Sequence, residues 1–448
     1  MLPFSDLSIA LAIFAVSYAL IITERIHKTI VAMGGAALMI VSGVVTQDEA
    51  FYSHEFGVDY NVIFLLIGMM IIVNIVRDTG LFEVLAIWSA QRAGADPFRM
   101  LALLALVTAV LSAMLDNVTT VLLMAPVTLS IAKRLRLDPV PFLLVEAIAS
   151  NIGGTATLVG DPPNIMIASK AELSYLQFLI VLGPVVVTIM AVFLVGLRLF
   201  YGGSLQVAPH LKEALLGLEP RDAVLDSLLL RRCVWLLGVV NLAFGLHGVL
   251  HLQPATIALV GASAFMLIGR ATRKHNGDEL SYLADVEWKT IFFFIGLFIL
   301  VGALVKVGVI GMLATQLLSF TQGHPAASVF SILWGSALLS AVIDNIPYVA
   351  AMNPLVVDLA RSLHPEIADY TSLVHQPDIL PLWWSLALGA CLGGNGTLIG
   401  ASANVVIADL ARKAGYPISY RQFFMVGFPV MVGSLLLSTL YVWLLFLR

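Results

Sequence analysis

Residues 153–169 read GGTATLVGDPPNIMIAS, and residues 393–409 read GGNGTLIGASANVVIAD. Both stretches sit inside long apolar surroundings, yet both carry Gly, Thr and Asn, and the first adds Pro162-Pro163. Glycine weakens a helix and proline interrupts it. In lipid, irregular backbone survives only where protein or a cavity surrounds it. Two similar interruptions therefore predict two broken helices enclosed within a membrane protein. Breaking a helix exposes amide N–H groups at one new end and carbonyls at the other, ends suited to an anion and a cation respectively.

The flanking composition agrees. The 448-residue chain is 60% hydrophobic and only 12% charged, against about a quarter charged in ordinary soluble domains. Apolar runs long enough to span a bilayer recur throughout. The net charge of −4 suggests no nucleic-acid partner. Two cysteines, Cys233 and Cys391, are too few for a disulfide framework or a cysteine metal cluster. The N-terminus lacks the basic start of a signal peptide, so the first apolar run is expected to be a retained helix. With no nucleophile–base pair or metal cluster visible, a non-enzymatic role without a cofactor is expected.

Hydropathy places helices near 6–23, 29–46, 60–77, 140–169, 176–199, 232–250, 255–270, 287–306, 381–410 and 422–446. Two more apolar stretches, 98–133 and 326–361, have polar centres, DNVTT (116–120) and DNIPY (344–348). Each reads as a re-entrant hairpin with an Asp-Asn tip; a kinked continuous helix is the alternative. Arg25, Lys28, Arg92, Arg99, Lys133, Arg134, Arg136, Arg221, Arg231, Arg232, Arg270, Arg273, Lys274, Arg412 and Lys413 fall on one face in this arrangement. The opposite loops, 47–59 and 364–378, are acidic or neutral, with Lys170 and Lys306 as single exceptions. The positive-inside rule puts the basic face in the cytoplasm and both termini outside, in a multi-pass protein of the cell (inner) membrane.

The chain also repeats itself. TIVAMGGAALMIVSG (29–43) matches TIALVGASAFMLIGR (256–270), and VIFLLIG (62–68) matches TIFFFIG (290–296). Gly80 pairs with Gly308, Asp116-Asn117 with Asp344-Asn345, Pro126 with Pro354, and SYLQF (174–178) with SYRQF (419–423). The expected fold is an all-α polytopic membrane protein of two inverted-topology repeats. Each has five transmembrane helices plus one re-entrant hairpin, with broken helices at the midplane. The units are 1–202 and 229–448, joined by a cytoplasmic linker, 203–228.

The candidate substrate-binding residues are Asn117, Thr119, Thr120, Gly153, Gly154, Thr155 and Asn164 from the first unit, and Asn345, Gly394, Asn395, Thr397 and Asn404 from the second; Thr157 and Ser402 belong with them. Neutral donors and acceptors suit hydroxyls or oxyanions; interhelical packing is the alternative. Asp116, Asp161 and Asp344 are candidates for proton or cation coupling. A carboxylate within the membrane is costly unless paired, hydrated or protonated; capping of the hairpin turn is the competing role. Asp161 has no counterpart, Ala401 standing in its place, and no Arg or Lys is placed at a motif. Glu146 could also line the cavity. Cys391 aligns with Asn151; buried cysteine usually packs, although a thiol could meet a thiophilic metalloid.

LDNVTTVLLMAPVT (115–128), NIGGTATLVGDPPNIMIAS (151–169), DNIPYVAAMNPL (344–355) and CLGGNGTLIGASANVV (391–406) resemble the ion transporter superfamily. More narrowly they resemble the branch holding arsenite efflux permeases, NhaD-type sodium/proton antiporters and P proteins. The likeness covers essentially the whole chain. It implies secondary active transport, a scaffold part, and a moving part that carries the hairpins and broken helices in an elevator-like motion. Relatives include homodimers, and an arsenite-type member would associate with a soluble ATPase subunit. Dicarboxylate-transporting relatives carry Ser-Asn-Thr at both tips; here the tips read Asp-Asn-Val-Thr and Asp-Asn-Ile-Pro. That departure favours H+ over Na+ coupling and a small, weakly charged inorganic solute. The expected function is proton-coupled efflux of arsenite or antimonite. A sodium/proton antiporter, a sodium-coupled organic anion symporter and a passive channel are the alternatives.

Overall fold

The computed structural model describes all residues except 1–5, 24, 54, 95, 202–209, 211, 213–222, 225 and 274–280. Most of the expected linker 203–228, with Arg221 and Lys274, lies outside the described residues. The described chain is helical. Its first half runs α1 (Asp6–Thr23), α2 (Lys28–Val41), α3 (Gln47–Tyr52), α4 (Tyr60–Arg77), α5 (Leu81–Arg92), α6 (Pro97–Met114), α7 (Asn117–Arg134), α8 (Val140–Gly154), α9 (Pro162–Ala171) and α10 (Tyr175–Tyr201). The second half runs α11 (Ser227–Leu250), α12 (Pro254–Arg273), α13 (Ser281–Ala284), α14 (Trp288–Lys306), α15 (Val309–Thr321), α16 (Pro325–Ser340), α17 (Asn345–Leu363), α18 (Tyr370–Val374), α19 (Leu380–Gly393), α20 (Ser402–Lys413) and α21 (Tyr420–Val442). Seven helices among the described residues are long and apolar enough to cross a membrane. The chain is a multi-pass helical membrane protein.

Both hairpins form as two helices with a turn at the Asp-Asn pair, α6–α7 and α16–α17, and both expected breaks are present. The helices α5 and α15 escape the hydropathy reading because each is short. Each starts at a glycine with φ of 81°, Gly80 and Gly308, a left-handed conformation that favours glycine.

The internal repeat is visible in the packing. Helix α2 packs on α14, and its sequence mate α12 packs on α4. Likewise α6 packs on α8 as α16 does on α19, and α7 packs on α20 as α17 does on α9. The crossings are close because the sequence supplies glycine. A Cβ on Gly68 would lie 2.7 Å from the Ala258 backbone, and one on Gly296 2.6 Å from the Ala32 backbone. Small residues permit this backbone approach in membranes. The outer surfaces are apolar: Val187, Val195, Leu199 and Phe200 of α10 are exposed, as lipid contact requires. The opposite side of α10 anchors through an edge-on contact of Phe178 with Trp384, ring centroids 5.1 Å apart.

The acidic loops fasten one end of the molecule. Lys306 bonds Glu49 at 2.5 Å, Arg361 bonds Glu55 at 2.8 Å, and Lys170 donates to the Glu55 carbonyl at 3.0 Å. The basic exceptions on this face are therefore paired with it. The Lys306 hydrogen bond and the Thr46 amide hold the Glu49 carboxyl down to about 2. Because folding lowers this value, the pair stabilises fully above the ordinary glutamate range and fades as pH falls through about 2. Lys306→Gln should lower the melting temperature in detergent at pH 7, by the equivalent of about 1 kcal/mol or less for so exposed a pair. The variant and wild-type curves should converge as pH drops toward 2.

Candidate functional site: a buried amide cluster between two broken helices

Each break is built the same way. Thr157 donates to the Ala113 carbonyl at 2.6 Å, and Thr397 donates to the Ala341 carbonyl, stitching each break to the first helix of its own hairpin. Ser112 and Ser340 donate to the Ser150 and Ala390 carbonyls, both at 2.6 Å. Asn164 donates to the carbonyls of Gly154 (3.2 Å) and Thr157 (3.0 Å). Asn404 does the same for Gly394 (2.8 Å) and Thr397 (3.0 Å). The expectation of uncompensated carbonyls at the breaks is therefore corrected. Side-chain amides satisfy them, because an orphaned carbonyl inside the protein would cost more than a buried asparagine. Helix starts differ: Pro162 and Pro163 leave α9 without N–H donors at its first positions, whereas α20 opens on Ser402 and Ala403, which keep theirs.

With their N–H groups occupied, Asn164 and Asn404 offer their Oδ1 atoms to donors from the other half. Asn151 is the hub. Its Nδ2 donates to Asn395 Oδ1 and Asn404 Oδ1, both at 3.0 Å, and its Oδ1 accepts from Asn117 at 3.1 Å. These contacts join the two halves of the chain. Cys391, at the equivalent place in the second half, donates to Asn164 Oδ1 at 3.3 Å. Asn345, at the second hairpin tip, donates to Asp161 Oδ2 at 3.2 Å. Asn117, Asn151, Asp161, Asn164, Asn345, Asn395 and Asn404 are all buried. Asn117 Oδ1 and Asn395 Nδ2 are buried with no partner among the described residues.

The predicted residues divide. Asn117, Asp161, Asn164, Asn345, Asn395 and Asn404 converge on the cluster. Thr155 bonds its own helix at the Asn151 carbonyl, 2.7 Å away. Gly153 lies against the Ala109 backbone, and Gly154 and Gly394 lie against Gly160 and Gly400, so these glycines serve close packing. Asp116 caps α7 through the Thr119 amide at 2.8 Å. Thr120 lies inside the first hairpin, its hydroxyl without a partner among the described residues.

Asp344 corrects the expectation that no cation stands at a motif. Lys28 Nζ lies 2.8 Å from Asp344 Oδ2 and 3.2 Å from Ser402 Oγ, which itself donates to Asp344 at 2.7 Å. Lys28 opens α2, hundreds of residues away in sequence, so a local motif reading misses it. The pair links α2 to the hairpin tip, and Lys28 also lines an open surface pocket with His27, Glu287 and Lys289. Lys28→Met should shift the balance of conformations about fivefold, as the loss of roughly 1 kcal/mol from a partly exposed pair implies. The rate at which a thiol reagent labels Ser402→Cys, in the presence and absence of Lys28→Met, reads this directly. Asn151 was also outside the predicted set; its pairing with Cys391 across the repeat was the signal that could have found it.

A many-helix membrane fold built as two matching halves, with hairpins and broken helices enclosing a polar centre, defines a membrane transporter. The chain belongs to the CitMHS family, described as citrate transporters, whose profile matches residues 18–389, within the ion transporter superfamily. It is 46% identical to a "46 kDa membrane protein" of Mycobacterium leprae, covering 98% of this chain and 99% of that one. An "uncharacterized transporter" of Mycobacterium tuberculosis (strain H37Rv) is 47% identical over 97% of this chain and 98% of that one. The P protein of Homo sapiens is 34% identical over 98% of this chain, which spans 60% of that protein. The crystal structure of the Alcanivorax borkumensis YdaH transporter, whose topology is described as unusual, matches with a TM-score of 0.57 over 98% of this chain and 97% of that one, at 12% identity.

Proposed function

We propose that this protein is a proton-coupled secondary transporter exporting a small hydroxylated solute, arsenous or antimonous acid, by alternating access. One observation carries the reading: the buried centre is lined by neutral amides with Asp161 as the carboxylate among them, and Lys28, at the second hairpin tip, is already paired with Asp344. Such a lining suits hydroxyl groups and offers no charge to a multiply ionised anion. Asp161 and Asp344 are the proton carriers, and Asp116 supports its hairpin as a cap.

The halves are inverted in this reading. The end of α9 meets the acidic loops, through Lys170 with Glu55 and Ser169 with Asp59 at 2.6 Å. The end of its mate α20 runs to Lys413, near Tyr416, whose ring lies 5.8 Å from Lys133 on the basic side. The basic face is cytoplasmic, and the hairpins and broken helices move against α2, α4, α12 and α14.

The test is arsenite accumulation in a host lacking its own arsenite exporters. Expression should lower it, and unchanged accumulation rejects the substrate. A second reading, transport of a citrate-like carboxylate, is favoured by the family's description and by Lys28 and Lys289 in the same surface pocket. Citrate uptake into proteoliposomes that is lost in Lys28→Met would select it. Sodium-dependent recovery of a quenched pH dye in everted vesicles would select sodium/proton antiport instead.

A further inference from the structure

Among the described residues of the first half, one more acid is buried outside the amide cluster. Glu146 lies in the middle of α8 and is 1% exposed. Thr128 of α7 donates to its Oε1 at 2.5 Å, and Oε2 has no partner among the described residues. The repeat shows what the fold itself requires at these places. The counterpart of Glu146 is Leu386, buried and apolar, and that of Thr128 is Val356, also buried. The counterpart of Thr120 is Tyr348, which bonds Ser336 at 3.0 Å and so leaves no open hydroxyl. The same backbone thus packs without an acid in the second half. The first half accepts the cost of burying one, and among the described residues its bonded partner is the neutral Thr128.

The surroundings fit a group that gains and loses a proton. A hydroxyl can donate to a carboxylate and accept from a carboxylic acid, so Thr128 serves both states. Along α7, Asn117, Thr120 and Thr128 fall on one helix face. Asn117 Oδ1 and Thr120 Oγ1 are buried without partners among the described residues, as is Glu146 Oε2. Between Thr120 and Thr128 the same face carries the buried Met124, so these open polar atoms stand at the two ends of an apolar step. Glu146 lies five residues before Asn151 on α8, about 7.5 Å along the axis. Helix α8 also packs on α6, α10, α19, α20 and α21. Among their described residues none forms an ion pair with Glu146. The titratable groups these elements bring toward the centre, Asp161 beside α9 and Cys391 on α19, bond within the amide cluster.

We propose that Glu146 is a second proton-binding site, held by Thr128 and standing on the same helix as Asn151 of the amide cluster. The proposal rests on the proton-coupled reading for its role in transport, while its proton occupancy can be read without any substrate. The proton moves as H+ alone; no other bond forms or breaks.

Infrared difference spectroscopy of the full chain in lipid bilayers, titrated across pH without substrate, tests it. Wild type should show a protonated-carboxyl stretch that is lost in Glu146→Gln, displaced in Thr128→Val, and reversibly lost on raising pH. Thr128→Val keeps the acid and so gives a readout if Glu146→Gln does not fold. A wild-type spectrum with no Thr128-sensitive carboxyl band overturns the proposal, as does such a band that stays constant at every pH where the protein remains folded. Arsenite transport then separates the two ideas. Glu146→Gln should still exchange arsenite between equal concentrations but lose accumulation driven by a pH gradient. Accumulation equal to wild type overturns the role for Glu146, whereas a wild type that moves no arsenite rejects the substrate and leaves the infrared result standing.

Discussion

Asp161→Asn should abolish uphill, pH-driven transport while preserving the fold. The substitution keeps the volume and leaves an oxygen to accept from Asn345, whose bond to Asp161 Oδ2 is 3.2 Å. It removes the carboxylate of the amide cluster, the group proposed above to carry the proton. The repeat argues that packing will survive, since Ala401 fills the equivalent place without an acid, 1% exposed. Accumulation in proteoliposomes should fall to equilibration, a loss of at least about a hundredfold in rate if proton transfer is on the transport path. Exchange at equal concentrations should continue. If Asp161→Asn still accumulates solute against a gradient, another group carries the proton.

Asn151→Leu should be the most damaging single change to the junction of the two halves. Leucine matches the volume but leaves Asn117 Nδ2, Asn395 Oδ1 and Asn404 Oδ1 without the partners they have at 3.1, 3.0 and 3.0 Å. Each buried polar group left unpaired costs about 1–3 kcal/mol, so the total reaches several kcal/mol unless water enters. A melting-temperature drop in detergent and loss of transport are expected together. Asn151→Asp keeps an acceptor for Asn117 but loses both donors, and should fall between. A neutral Asn151→Leu would mean the halves are joined elsewhere.

What the sequence made legible were features governed by local chemistry. Hydropathy found the long spans, and the paired Gly-rich and Asp-Asn stretches found the breaks and hairpin tips, because glycine and proline act on their own backbone. The asparagines are legible as types but not as partners. Whether Asn164 faces a ligand or caps its own break at Gly154 depends on a fold that brings those atoms within 3.2 Å. Lys28 shows the same limit more sharply. In sequence it is a basic residue in a short loop, and only the packing of α2 beside the second hairpin turns it into the partner of Asp344. Helices α5 and α15 were missed because a length of 12 or 13 residues falls below any spanning criterion.

The most direct measurement is arsenite content in proteoliposomes bearing the purified protein and an imposed pH gradient, with Asp161→Asn beside wild type. The account predicts accumulation above the external concentration in wild type, collapse when the gradient is dissipated, and mere equilibration in the variant. Equilibration in wild type, or equal accumulation in both, would contradict a carrier that couples a proton at the amide cluster to solute movement.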